Sequence, residues 1–437
     1  MNSLTLEKQN QLYMKNSRRE FIKIGGLSIA ATGLVSPFLK SCAEPDSENS
    51  DHDLKKETEA LEPLNKQDYT LRINRLVNSM VQENIGALFI EGSTNLRYFY
   101  NISWWLSERT FGPVINTKKE PVWICPEFEL ERAKEQIPEG HEIRTWAEHE
   151  SPFELFAQIV NDLGIKKEKI AMGPAVRSFI CEGFQKVMGA DLMDGSMAVN
   201  MVRAIKTEKE LRYMDIANMI TKKAYKYAFD KLEEGMTREE LAAHIRFAHS
   251  EMGTSGSGGP YFGFTSAYPH GTNQVRHLQE GDIILVDGGC SVEGFRSDVT
   301  RTIVFGKPND RQTEVFNTVL KAQQEAHNAI KPGVPCGEID RIARKVIEDA
   351  GFGPGYKYFA HRLGHGIGMD GHEYPYLVKD NPLLLQPGMT FSNEPGIYIY
   401  GEFGVRIEDC FVVTEDGAKM LGGMLTQDIE HPFGNSG

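Results

Sequence analysis

DIILVDGGCSVEGFRSDVTRTIVF, residues 282–305, reads as a β-hairpin with an acid on each arm. Ile283 to Val286 is an apolar strand that ends in Asp287. Phe295 to Phe305 returns after a loop containing Gly288, Gly289 and Gly294. A roughly symmetric hairpin puts Asp287 and Asp298 opposite each other, with side chains close enough to share a ligand. Taken alone, each acid has a plainer reading: Asp287 as a turn residue before two glycines, Asp298 as a solvent-facing side chain.

A second stretch repeats the arrangement. Thr390–Ile399 and Gly404–Val413 flank a turn at Gly401, and folding about that glycine brings Glu394 opposite Glu408. Like charges facing each other destabilise a sheet unless something positive lies between them. Between the two hairpins lies HRLGHGIGMDGHE, residues 361–373. His361 and His365 have the i, i+4 spacing of two zinc ligands on a helix. Gly364, Gly366, Gly368 and Gly371 argue against a helix, at about 1 kcal/mol each, so a strand and loop is the expectation. Four carboxylates and one imidazole suit a pair of divalent cations such as Mn, Co, Zn or Fe. Two such ions activate water and polarise a carbonyl.

The chain of 437 residues has room for two or three domains. Its 40% hydrophobic and 25% charged content is that of a globular protein, and a net charge of −13 argues against nucleic acid as a partner. Six cysteines (Cys42, Cys125, Cys181, Cys290, Cys336, Cys410) without a CxxC exclude a cysteine zinc site or disulfide framework as the organising feature. From about Gln67, helical spacing over 69–81 and strand runs at 87–90, 122–124 and 170–172 alternate with helical segments near 126–137 and 152–163. That pattern predicts an α/β domain over 67–200. Near Val202–Lys206 a boundary falls, after which Thr207-x-x-Glu210 is a capping box opening a helix to about Leu232. Residues 233–253 then align without gaps to 331–351, matching Gly235 to Gly333 and Gly253 to Gly351. One long period points to duplicated halves.

The first 42 residues read as a targeting segment. Ser17-Arg18-Arg19-Glu20-Phe21-Ile22-Lys23 before an apolar run resembles a bacterial twin-arginine signal. Leu39-Lys40-Ser41-Cys42 resembles a degraded lipobox, leaving lipid anchoring at Cys42 and simple cleavage both open. Residues 43–66 are a polar, acidic linker too poor in apolar residues to fold alone. The expectation is export to the periplasm, free or as a membrane-anchored lipoprotein.

Asp287, Asp298, His365, Glu394 and Glu408, set in DGG, SDVTRT, GHGIG, NEPG and VRIED, closely resemble the ligand set of the pita-bread metallopeptidases, the Xaa-Pro aminopeptidases and prolidases. The resemblance covers about 67–430 and includes a creatinase-like N-terminal domain (NIGALFI, NLRYFYNI). It implies an α/β (α+β) architecture: a creatinase-like domain over 67–200, then a catalytic domain over 201–437 with pseudo-twofold halves around a curved antiparallel sheet. It further implies two divalent ions, manganese first, and a peptide substrate with proline second. Residue by residue, Asp287 would chelate one metal and His365 the other, and Asp298 and Glu408 would bridge both. Glu394 would bind the second metal and act as general base. His270 would stabilise the tetrahedral intermediate, and His361 and His372 would position substrate and assist proton transfer. Arg406 would sit beside the bridging acids. A homodimer or dimer of dimers is expected. Trp104, Trp105 and Phe111 are open between pocket and core, whereas His244, His249, His277 and His327 read as surface or packing residues. A small-molecule hydrolase or lyase, or a non-catalytic peptide-binding relative, are the competing readings.

Overall fold

The computed structural model describes residues 54, 56–59, 61–165, 168–423, 426 and 428–433. The twin-arginine-type segment over 1–42, with Cys42, lies outside them. Among the described residues no helix is long and apolar enough to cross a membrane.

Asn65 opens the first helix, α1 (Lys66–Gln82), through a reciprocal capping box with Asp68. A six-stranded mixed sheet follows, of β1 (Ile85–Phe89), β2 (Gly112–Asn116), β3 (Val122–Pro126), β4 (Glu142–Trp146), β5 (Lys169–Met172) and β6 (Met193–Asp194), in the order β4-β3-β2-β1-β5-β6. Strands β1 to β3 are buried along their whole length, which is why they read as unbroken apolar runs. Leu88 and Ile90 point into one core, Ala87 and Phe89 into another, as a period of two requires. Helices α2 (Thr94–Tyr100), α3 (Leu130–Gln136), α4 (Pro152–Asp162) and α5 (Ser178–Met188) accompany the sheet, and α6 (Ser196–Ala204) leads out of it. Phe111 is buried and stacks on Trp104 at 3.6 Å, so both belong to packing; Trp105 is 77% exposed.

Past α6 the expected capping box of Thr207 and Glu210 opens α7 (Glu208–Phe229). Helix α8 (Arg238–Glu251) leads to a sheet of β7 (Ser255–Phe262), β8 (Ile283–Val292), β9 (Phe295–Arg296) and β10 (Val299–Val304). The second half supplies α9 (Asp310–Ala329), α10 (Cys336–Asp349), and a sheet of β11 (Gly364–Gly366), β12 (Glu373–Leu377), β13 (Thr390–Asn393), β16 (Asp409–Val413) and β17 (Ala418–Met420), with β14 (Gly396–Ile399) and β15 (Phe403–Arg406) as a separate ribbon. The internal repeat is the pair α8 and α10, both 14 residues long. Its matched glycines share one conformation: φ is +85° and +83° at Gly235 and Gly333, and +87° and +89° at Gly253 and Gly351. These left-handed corners, where a Cβ is disfavoured, give both helices the same entry and exit. The curved antiparallel surface is built as two sheets stitched where Thr300 and Glu408 exchange backbone hydrogen bonds of 3.4 and 3.1 Å.

Part of the polar stretch before α1 lies along α7. The Glu57 carboxylate accepts from Lys223 Nζ, and the Glu62 carbonyl accepts from Tyr213. Leu54, Leu61 and Leu64 pack against the first core.

Candidate metal centre and active site

The first hairpin corrects one expectation. Asp287 pairs with Thr300 across β8 and β10, not with Asp298. The turn is a two-residue one at Glu293-Gly294, both with positive φ, closing the pairs Val292–Phe295 and Ser291–Arg296. Paired left-handed residues of this kind are what a tight hairpin prefers. Asp298, two residues from Thr300, is therefore on the same face as Asp287 and diagonal to it, so the two acids still converge.

The second pair keeps the expected level. Asn393 pairs with Asp409 and Gly396 with Arg406, which places Glu394 across from Glu408. Both strands break at the acids, between β13 and β14 and between β15 and β16. Pro395 lacks the amide hydrogen that would continue the ladder, so the backbone is free to turn both carboxylates inward.

His365 lies mid-strand in β11, as the strand-and-loop reading requires. A Cβ at Gly364 would stand 1.9 Å from the Ser392 carbonyl oxygen, and one at Gly366 2.3 Å from that of Tyr374. Only glycine lets β11 thread between its neighbours there. Nδ1 of His365 faces the Gly366 carbonyl at 3.1 Å, leaving Nε2 toward Glu394 Oε1 at 3.2 Å and Asp298 Oδ2 at 3.7 Å. The His372 ring stacks on His365 at 3.7 Å and is exposed. His361 is half-buried, with Nε2 2.8 Å from the Tyr398 hydroxyl and Nδ1 3.9 Å from Glu394 Oε2. His270 is exposed at the rim, near enough to lower the basicity of His361 and His372. Arg406 is buried and donates to Asp287 Oδ2 at 2.6 Å, Thr300 Oγ1 at 3.1 Å and the Tyr398 hydroxyl at 2.7 Å.

These side chains form overlapping sets whose ligand atoms lie within 4.8 Å of one another: Asp287, Asp298 and Glu408; His365, Glu394 and Glu408; Asp298, His365 and His372. Burial, then repulsion from the neighbouring acids, pushes Asp298 and Glu408 well above the usual carboxylate range. Burial also opposes ionisation of Glu394, but the His365 hydrogen bond and the charges of His361, His365 and Arg406 bring it down to about 2. His365 is raised despite burial by Glu394 and Asp298, whereas burial lowers His361 and His372. Arg406 is the only arginine or lysine hydrogen-bonded to any of the four acids' side chains among the described residues. Clustered oxygens short of positive charge, with one imidazole presenting Nε2, are a donor set suited to divalent cations. Beside it a cavity of ≈ 520 Å³ is lined by Ser257, Gly288, Gly289, Arg296, Asp298 and Gly371.

Three supporting side chains are missing from the sequence reading. Thr300 donates to Glu408 Oε2 at 2.6 Å, Ser392 donates to Glu394 Oε1 at 3.0 Å, and Tyr398 links Arg406 to His361. Thr300 lies two residues from Asp298 and Ser392 two from Glu394, so counting same-face neighbours along each strand would have found them. His249 is fully buried under Gly256, and His327 packs on Phe411 at 4.7 Å.

Residues 212–415 match the model of metallopeptidase family M24, and 72–205 that of the creatinase/prolidase N-terminal domain. A Staphylococcus aureus protein named as an uncharacterized peptidase is 35% identical over 353 residues, 80% of this chain and 98% of that one. Among solved structures, dipeptidase PepE from Mycobacterium ulcerans is similar at 31% identity and TM-score 0.78, over 83% of this chain and 97% of that one. A Xaa-Pro dipeptidase from Bacillus anthracis matches at 29% and 0.71, over 83% and 99%. An X-Pro aminopeptidase from Thermotoga maritima matches at 29% and 0.68, over 80% and 96%. With a donor set for divalent cations on such a fold, the chain belongs to metallopeptidase family M24 and carries a creatinase/prolidase N-terminal domain.

Proposed function

We propose that this metallopeptidase is a dinuclear exopeptidase that hydrolyses the Xaa-Pro bond, at the N-terminus of peptides or in Xaa-Pro dipeptides. The observation that carries the reading is the pair of overlapping donor sets sharing Glu408, with Asp287 and Asp298 on one side and His365 and Glu394 on the other. Asp287 would hold one ion, His365 and Glu394 the other, and Asp298 and Glu408 both; manganese is the first candidate, ahead of zinc, cobalt and iron. When bound, the ions supply Lewis acidity toward the scissile carbonyl and lower the pKa of the attacking water. Glu394 receives the proton of that water, a role its ionised state allows. His270 would stabilise the oxyanion as it develops. The proton taken up by Glu394 passes on to the leaving proline nitrogen, while His361, oriented by Tyr398, and His372 hold the substrate and assist that transfer. Arg406 fixes Asp287 and Tyr398 in place.

The names of similar structures, a Xaa-Pro dipeptidase and an X-Pro aminopeptidase, support the choice of bond and leave the length of the substrate open. The test is turnover of the metal-loaded protein on Xaa-Pro dipeptides, longer Xaa-Pro peptides and proline-free controls. Cleavage of dipeptides alone identifies a prolidase and cleavage of longer peptides an aminopeptidase; failure on every proline substrate with every metal refutes the reading. We also propose twin-arginine export by the first 42 residues, with Cys42 as a candidate lipid-anchor position, and assembly as a homodimer or dimer of dimers. Fractionation, mass spectrometry of the mature N-terminus and light scattering test these.

A further inference from the structure

The turn that carries His372 is held by side chains of α2, of α6 and of the residues just after α6. Arg203, in the last turn of α6, is buried and donates to Asp370 Oδ2 at 2.7 Å, to Glu373 Oε2, and to Asn95 Oδ1 at 2.7 Å. Lys206, also buried, donates to Glu373 Oε1 at 2.7 Å. Thr94 of α2 donates to Asp370 Oδ1 at 2.7 Å. Asp370 and Glu373 flank His372 in the sequence, and the His372 ring stacks on His365 at 3.7 Å. A methyl at Gly368 would stand 2.3 Å from Glu373 Oε1, so the turn folds directly over this carboxylate.

Two buried cations facing one buried and one half-exposed carboxylate are poorly explained as a stabilising device. Desolvation offsets most of the attraction in a buried ion pair, while a forked guanidinium fixes geometry well. His372 itself is exposed; its ring stacks on that of His365, and among the described residues no hydrogen bond holds it. Its placement therefore depends on the backbone on either side, and that backbone is pinned by Arg203, Lys206 and Thr94. We infer that Arg203 is a positioning residue: the N-terminal domain and its exit helix set the location of His372 over the metal centre through the Arg203–Asp370–Glu373 clamp.

The inference rests on the role proposed for His372, and its test separates the two. In the zinc-loaded protein, 15N-histidine NMR reads the His372 ring without turnover. Arg203→Gln is expected to shift and broaden that resonance while His361 keeps its own and metal content is unchanged; the melting temperature falls, because buried Glu373 loses one of its two cations. In kinetics, Arg203→Gln is expected to lower kcat about 10-fold at unchanged KM, the scale of a loosened proton-transfer group. In a His372→Ala background the same change should cost nothing further, since residues acting as one unit are non-additive. An unmoved His372 resonance, or kinetic losses that multiply in full, would overturn the inference. Should Arg203→Gln fail to fold, Asp370→Asn, at a side chain 41% exposed, reads the same coupling. If no Xaa-Pro substrate is turned over at all, the proposed reaction fails and the NMR result alone decides the clamp.

Discussion

Asp298 shows how one side chain is committed by its neighbours. Half-buried, facing Asp287 diagonally and His365 Nε2 at 3.7 Å, it holds its charge only when positive charge is close by. Asp298→Ala is therefore expected to abolish activity and reduce metal content together, read by plasma mass spectrometry of the dialysed protein; retained turnover would refute a bridging role. Tyr398→Phe tests the layer behind it. Arg406 and His361 would lose a shared partner, and kcat should fall about 10-fold with metal content intact, the usual scale for a group that orients a proton carrier. A loss of metal instead would place Tyr398 in the ligand scaffold. The candidate ligand residues stood out as types in order along the chain, because few chemistries need four acids and a histidine at such spacing, and the fold brings them together. Thr300 and Ser392 could have been counted from the acids two residues away, whereas Tyr398 could not, since only the fold shows that its hydroxyl joins Arg406 to His361.

At the scale of elements, the first hairpin misled by its turn. Glu293-Gly294 reads as part of a wide glycine loop, whereas positive φ at both residues makes it a two-residue turn that sets the register. The partner of Asp287 moves by two residues, and a shift of two keeps every side chain on its face. That is why the convergence of the acids survived a wrong pairing. The repeat, by contrast, was legible because Gly235 and Gly333, and Gly253 and Gly351, perform the same backbone task twice. Strand β11 depends on glycine for space. Gly364→Ala should lower stability by about 3 kcal/mol through overlap with the Ser392 carbonyl. Gly371→Ala, whose methyl would meet only Arg296 Cδ at 4.0 Å, should stay within about 0.5 kcal/mol of wild type. Equal urea midpoints for the two would contradict this. Helix α8 adds a pH effect, because burial lowers His249 from 6.5 to about 4. The unfolded chain then binds the extra proton, so this stabilisation is complete above pH 6.5 and is lost as pH falls toward 4. Between pH 7.5 and 5 it amounts to about 2 kcal/mol. His249→Gln should flatten the pH dependence of the urea midpoint by that much; parallel curves for the two proteins would refute it.

Over the whole molecule, the two domains meet at the junction from which Arg203 and Lys206 reach the His372 turn, contacts that span 167 and 170 residues of chain. No local pattern announces such pairs, which is why the architecture and the candidate donor set were readable while the clamp between domains was not. The candidate metal centre in turn gathers four carboxylates around one hydrogen-bonded arginine, Arg406, so stability and chemistry should both depend on added metal. Chelation is expected to lower the melting temperature, and re-addition to restore it, because an ion that binds only the folded state stabilises it in proportion to the logarithm of its concentration. The most direct measurement is a titration of the metal-free protein with manganese, following Xaa-Pro hydrolysis and bound metal together. The account predicts that activity and binding both reach their plateau at two ions per chain, and that Glu408→Ala abolishes both. Full activity after exhaustive chelation, or a plateau at one ion with no second site, would contradict it.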